Sequence, residues 1–166
     1  MQGGVSVHIL RHNDRITETT TATKRATRPA ADAPENEELY RYNLKRFVEF
    51  ARERGMTPVH QRSFSGEVLA EDGIEEYRTA MAEVGNELGA AVLDVGAKHT
   101  AFISQLGAED CKNYFSIFDK ADYSDSLASN TDGTHLSYMG AREVCAMICD
   151  EIRDKAELSE LADLIK

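Results

Sequence analysis

Apolar positions along the chain fall alternately into short continuous runs and stretches of helical period. Val-Ser-Val-His-Ile-Leu at 5–10 is a β-branched run of the kind buried inside parallel sheets. A polar His-Asn-Asp follows at 12–14, and residues 16–38, rich in Thr, Ala and charge with Pro29 and Pro34, show no apolar period. That composition predicts a long surface loop. Tyr40, Leu44, Phe47, Val48 and Ala51 then recur at helical spacing and predict a helix over 40–54, with Gly55 just past its end. Residues 56–60 read as a brief strand. A second amphipathic helix over 74–88 carries Tyr77, Met81, Val84 and Leu88 on one face.

The alternation continues with a strand over 91–95, a helix over 97–106 and an irregular polar stretch over 111–130. Val144, Met147, Ile148 and Ile152 predict a last helix from 140 to about 153, and residues 154–166 form a helical tail. Strands that alternate with helices argue a parallel sheet with helices on both faces, a three-layer α/β/α fold. In such sheets ligands sit beyond the carboxyl ends of the strands, where Asn13, Asp14 and Gly96 fall.

Composition narrows the function classes. A chain of 166 residues with 42% hydrophobic residues suits a single domain spanning 1–166. No apolar run approaches the roughly 18 residues of a membrane span, so no membrane partner is expected. The net charge of −10 argues against a general nucleic-acid binder, which gains affinity by neutralising phosphates. The charge is uneven: residues 1–62 hold 11 Lys and Arg against 8 Asp and Glu, and residues 63–166 hold 8 against 21. Solvated helix faces account for the acidic part. Cys111, Cys145 and Cys149 are too few and scattered for a disulfide framework. Cys145 and Cys149, four apart on a predicted helix, read as small buried residues. The first residues lack the pattern of a secretory signal, and cytoplasmic conditions fit the chain as written.

Two segments carry candidate chemistry. In Asp-Gly-Thr-His-Leu-Ser-Tyr-Met-Gly-Ala at 132–141, Asp132 precedes His135 by three residues in a loop that leads into a helix. A carboxylate so placed can orient an imidazole and leave its other nitrogen as a general base. The spacing alone is equally that of a polar loop with an incidental histidine. At the other segment, the Asn13 amide at a strand end can donate to an oxyanion, or Asn13 and Asp14 can simply form a turn.

Taken together, strand, His-Asn-Asp and the late Asp-x-Thr-His-x-x-x-x-Gly-Ala resemble the SGNH (GDSL-like) hydrolases, in particular the rhamnogalacturonan acetylesterase-like group. Arg62-Ser63-Phe64 is similar to the family's Arg-x-Phe, Tyr77-Arg78-Thr79-Ala80-Met81 to its Tyr-x-x-Ala-Met helix, and Leu93 to Lys98 to its Leu-Ile-Asp-Leu-x-x-Lys segment. The resemblance implies a flavodoxin-like sheet and an esterase that removes acyl groups from carbohydrate, without metal or organic cofactor. It makes His135 the base, Asp132 its orienting carboxylate and Asn13 part of the oxyanion hole.

The chain departs from that pattern in three places. The family's Gly-Asp-Ser nucleophile motif precedes the strand that matches residues 5–10, so the first two strands and the catalytic Ser are expected to be absent here. Ser6 lies inside the apolar run with no Gly-Asp before it, and Arg11 stands where the family has glycine. The strand at 56–60 is shorter than the family's. The expectation is a hydrolase fold inactive by itself, whose first strand is an exposed edge able to self-associate. A non-catalytic remnant that binds carbohydrate or a partner protein is the alternative. A metal-dependent hydrolase using His8, His12, Asp14 and His135 is a weaker third.

Overall fold

The computed structural model describes residues 4–9, 37–61, 75–118 and 130–165. Three strands, β1 (Val5–Ile9), β2 (Thr57–Gln61) and β3 (Ala91–Leu93), form a parallel sheet in the order β1-β2-β3. The helices α1 (Glu37–Glu53), α2 (Glu75–Leu88), α3 (Val95–Asp110) and α4 (Tyr138–Arg153) surround it. The chain is thus α/β with a parallel sheet, as its alternating pattern predicts. The elements fall within a few residues of their expected bounds. The loop at 16–38 lies almost wholly outside the described residues, as do Arg62, Ser63 and Phe64.

Registers explain which side chains reach which layer. Val59 stands level with Ala91 and Gln61 with Leu93, so these four share one face of the sheet, and Pro58, His60 and Val92 share the other. Val59, Ala91 and Leu93 pack with Val95, Val144, Ile152 and Leu158, which makes α4 and the C-terminal turns one layer. His60 meets the ring of Phe47 on α1 at 5.8 Å between centroids, and its face is covered by α1 and α2. A side chain on Gly85 of α2 would collide with Val92 Cγ2, so glycine here lets the helix lie close against β3.

Pro58 is unusual for a central strand, because it has no N–H for a ladder. The Thr57 N–H donates to Gly4 O at 2.8 Å, so the backbone of Thr57, Val59 and Gln61 faces β1 and that of Pro58 faces the β3 side. Pairing with β3 begins only at Val59, so the missing donor costs no bond of that ladder. Gly89 O, in the turn before β3, accepts instead from the Arg52 guanidinium at 3.2 Å.

The basic bias of the first third is spent partly on α2. Arg41 pairs with Glu83 at 2.6 Å and Lys45 with Glu87 at 2.7 Å, matching steps of four along two parallel helices. Beneath them Tyr40, Leu44, Ala80, Met81 and Val84 form the shared core, with Tyr40 and Tyr77 edge to face at 5.0 Å. The exposed ion pairs add little beside that burial.

The stretch after α3 departs from expectation. Residues 111–130 read as irregular, yet Cys111–Tyr114 form a 3-10 turn and Phe115–Phe118 form β4. β4 pairs antiparallel with β5 (Asn130–Leu136), which the sequence presented as a loop. A four-residue Phe-Ser-Ile-Phe run has too little period to declare itself, and its partner strand carries Asn, Asp and Gly, poor strand formers by propensity. Ile103, Cys111 and Phe115 form the small core beneath this hairpin.

A further reading is corrected. Cys145 is exposed and Cys149 half-buried, because Val144, Ile148 and Ile152 take the inner stripe of α4 and turn the cysteines toward its flank. Tyr138, at the first position of α4, stands 79% exposed.

Candidate active site

β5 places Asp132 and His135 on one short strand that runs directly into α4. A regular strand would send residues three apart to opposite faces. The ladder breaks at this point: Phe115 is level with Leu136, and its neighbour Ser116 with Asp132. Residues 133–135 are therefore extra on β5, an enlarged bulge that releases His135 from strict alternation. Gly133 is the residue in this bulge that lacks a Cβ. His135 is exposed to solvent.

The residues after His135 are fixed firmly. Leu136 packs against both the sheet core and the β4 core. The Leu136 carbonyl accepts from Ser116 Oγ at 3.3 Å. The Ser137 N–H donates to Tyr114 O at 3.0 Å, and Ser137 Oγ donates to Asn113 O at 2.7 Å. The same oxygen accepts from the Gly140 N–H at 3.2 Å, capping α4. Gly140 in turn sits so close to Tyr114 that a Cβ would collide with its carbonyl oxygen, which gives a steric reason for the glycine of the Gly-Ala motif. An exposed imidazole is thus held at the head of a helix by a half-buried leucine and a double-duty serine. Ser137 was not singled out as functional in the sequence, although a serine just before an apolar helical period is an N-cap signal. Beyond it, the Arg142 guanidinium lies 6.0 Å from the centre of the exposed Tyr138 ring.

The family-like segment around Asp94 has a structural part. Asp94 caps α3, its carboxylate accepting from the Ala97 N–H at 3.2 Å. Its own N–H donates to Glu151 Oε2 at 2.8 Å, and Glu151 Oε1 pairs with Lys98 Nζ at 2.9 Å. Asp94 lies at the carboxyl end of β3, so α4 returns to that edge near its C-terminus. His135, just before the other end of the same helix, is separated from Glu151 by about 20 Å of helix axis.

Asn13 lies outside the described residues, as do His12 and Asp14; His8 is placed by its backbone alone, level with His60. Among the described residues no group of three His, Cys, Asp or Glu is arranged to hold a metal ion. Among them, too, no helix is long and apolar enough to cross a membrane.

No protein-family model matches the chain. In fold it is similar to LAE5, an alpha/beta hydrolase enzyme from the metagenome of Lake Arreo, Spain. The two superpose with a TM-score of 0.54 at 13% identity, over 87% of this chain and 57% of that one. In sequence it is 27% identical over 120 residues to the probable rhamnogalacturonan acetylesterase YesY of Bacillus subtilis (strain 168). That match takes in 69% of this chain and 51% of the relative, so the chain spans about half the length of the curated protein it matches. The resemblance to the rhamnogalacturonan acetylesterase-like group, read from the motifs, is borne out by this relative.

Proposed function

We propose that the chain carries the base-and-carboxylate part of an SGNH-type esterase site, directed at acylated carbohydrate. The observation that carries this reading is the anchoring of exposed His135 at the head of α4, three residues after Asp132, in a chain similar to an acetylesterase. Asp132 orients the ring of His135 and stabilises its protonated form, and Asn13 donates to the oxyanion.

The chemistry of such a site needs a hydroxyl nucleophile. The base removes the serine proton as the serine oxygen bonds to the ester carbonyl carbon, and negative charge moves to the carbonyl oxygen. Collapse breaks the ester bond; the protonated base hands its proton to the leaving sugar oxygen, and water later releases the acyl group by the same steps. His135 and Asp132 supply the proton handling only. Removing serine from a comparable triad costs on the order of 10⁶ in rate, and this chain has no Gly-Asp-Ser. The 166-residue chain alone therefore has negligible esterase turnover.

Two measurements test the reading. For the chain alone, p-nitrophenyl acetate hydrolysis by the wild type and by His135→Ala is expected to be the same; a clear His135-dependent rate refutes the inactivity. If the gene encodes an in-frame Gly-Asp-Ser upstream, the extended protein is expected to release acetate from acetylated pectin fragments. His135→Ala should abolish that release. Full activity in the extended His135→Ala protein would overturn the assignment of the base.

A further inference from the structure

In the register of β4 with β5, residues 133–135 stand level with no residue of β4, so His135 is placed by what holds the chain on either side of the bulge. Upstream, Asp132 is level with Ser116; downstream, Leu136 is level with Phe115. The downstream hold also draws on side chains. The Ser137 N–H donates to Tyr114 O at 3.0 Å, Ser137 Oγ to Asn113 O at 2.7 Å and Ser116 Oγ to Leu136 O at 3.3 Å. The shortest of these bonds comes from the Ser137 hydroxyl, two residues after His135.

The acceptor of that bond is itself fixed. Asn113 lies in the turn Cys111–Tyr114, whose Cys111 is fully buried with Ile103 and Phe115. The Tyr114 ring meets Phe102 of α3 edge to face at 5.0 Å between centroids. Asn113 O therefore belongs to a packed shelf between α3 and β4.

One hydroxyl performs two duties that other side chains separate. A serine hydroxyl has one proton to donate and lone pairs with which to accept. Ser137 gives its proton to Asn113 O and accepts the Gly140 N–H at 3.2 Å. Acceptance starts α4; donation joins the chain beside His135 to the shelf. Capping alone would be met by aspartate, which accepts but, when ionised, has no proton to give.

We infer that Ser137 is a positioning residue: its donation to Asn113 O, separately from its cap on α4, fixes where the exposed imidazole of His135 stands. This rests on the reading of His135 as the base of the proposed site. A reacting group misplaced by about 1 Å can cost on the order of 10² in rate, so the anchor has a chemical consequence that a helix cap lacks.

Ser137→Asp separates the two duties in the chain as it stands, since it keeps an acceptor for Gly140 and removes the donor to Asn113 O. Hydrogen exchange, corrected for intrinsic rates, should speed up about five- to tenfold at the position-137 amide. The Gly140 amide and the far-ultraviolet circular dichroism should stay as in the wild type. The imidazole signals of His135 in a heteronuclear NMR spectrum, one sharp set in the wild type, should broaden or double. Ser137→Thr keeps both duties and should restore the wild-type spectrum. Should Ser137→Asp fail to fold, Ser137→Gly removes the donor without adding charge, at little cost to the cap, and is read by the same signals. Wild-type His135 signals in a folded variant that lacks the donor overturn the proposal, as does a disordered His135 ring in Ser137→Thr. The ring is read without turnover, so either result leaves the base assignment standing. Full activity of the extended His135→Ala protein overturns that assignment instead, and leaves the ordering of the ring intact.

Discussion

Glu151 accepts the backbone N–H of Asp94 at 2.8 Å while its other oxygen holds Lys98 at 2.9 Å. One carboxylate thereby ties the C-terminal turns of α4 to the end of β3 and the start of α3. Burial works against the charged carboxylate, but the hydrogen bonds from Lys98 and from the Asp94 N–H outweigh it and hold its pKa below the ordinary value. Glu151→Ala is expected to cost about 1–3 kcal/mol in urea unfolding at pH 7, because it strands a backbone donor beside a cation. Glu151→Gln keeps an acceptor and should cost less. Since the folded-state pKa is the lower one, this tie stabilises above the unfolded value of 4.5 and is lost as pH falls below it.

Gly140 tests the other end of the same helix. A methyl group there meets the Tyr114 carbonyl, which is backbone and cannot swing aside. Gly140→Ala is expected to destabilise by roughly 2–3 kcal/mol despite alanine's better helix propensity. An equilibrium denaturation curve unchanged from wild type would show that α4 need not approach β4 so closely.

His99 is buried, with its ring edge to face against Phe115 at 6.1 Å. Burial lowers its pKa to about 4. Between pH 6.5 and 4 the unfolded chain binds a proton that the folded chain refuses, so this contribution is full above 6.5 and lost as pH falls toward 4. From pH 6.5 to 5 the loss amounts to about 2 kcal/mol. Chemical denaturation at the two pH values should show it, and His99→Gln should flatten the slope in that window.

The three cysteines should separate by reactivity. Cys145 is exposed, Cys149 half-buried and Cys111 buried, with its thiol donating to Ala108 O at 3.4 Å. Burial pushes the Cys111 thiol up, further reducing the thiolate that alkylating agents need. Iodoacetamide on the native protein is expected to label Cys145 first and Cys111 only after unfolding. Early labelling of Cys111 in a peptide map would contradict the closed core beneath β4.

Much of this architecture was legible in the amino-acid order. The strand at 5–10, the helices closing on Gly55 and Gly89, and the final helix through Ile152 announce themselves, because burial on one side imposes a period on the chain. The Asp132–His135 spacing, with its Gly-Ala sequel, was equally plain, and pointed to the esterase group before any fold was known. What failed were features set by partners distant in sequence. β4 and β5 are strands because they meet each other; neither Phe-Ser-Ile-Phe nor Asn-Thr-Asp-Gly carries that information alone. Cys145 sits on the helical period close enough to the apolar stripe to read as buried, and only the way α4 packs turned it outward. The sequence by itself determined the alternating α/β pattern and the candidate base, since these follow from local composition and motif. Tertiary structure decided that a three-residue bulge frees His135, that Tyr114 demands the glycine at 140, and that Asp94 and Lys98 serve a tie to Glu151. Each of these depends on a contact across the fold, and the chain acquires it only when its layers close.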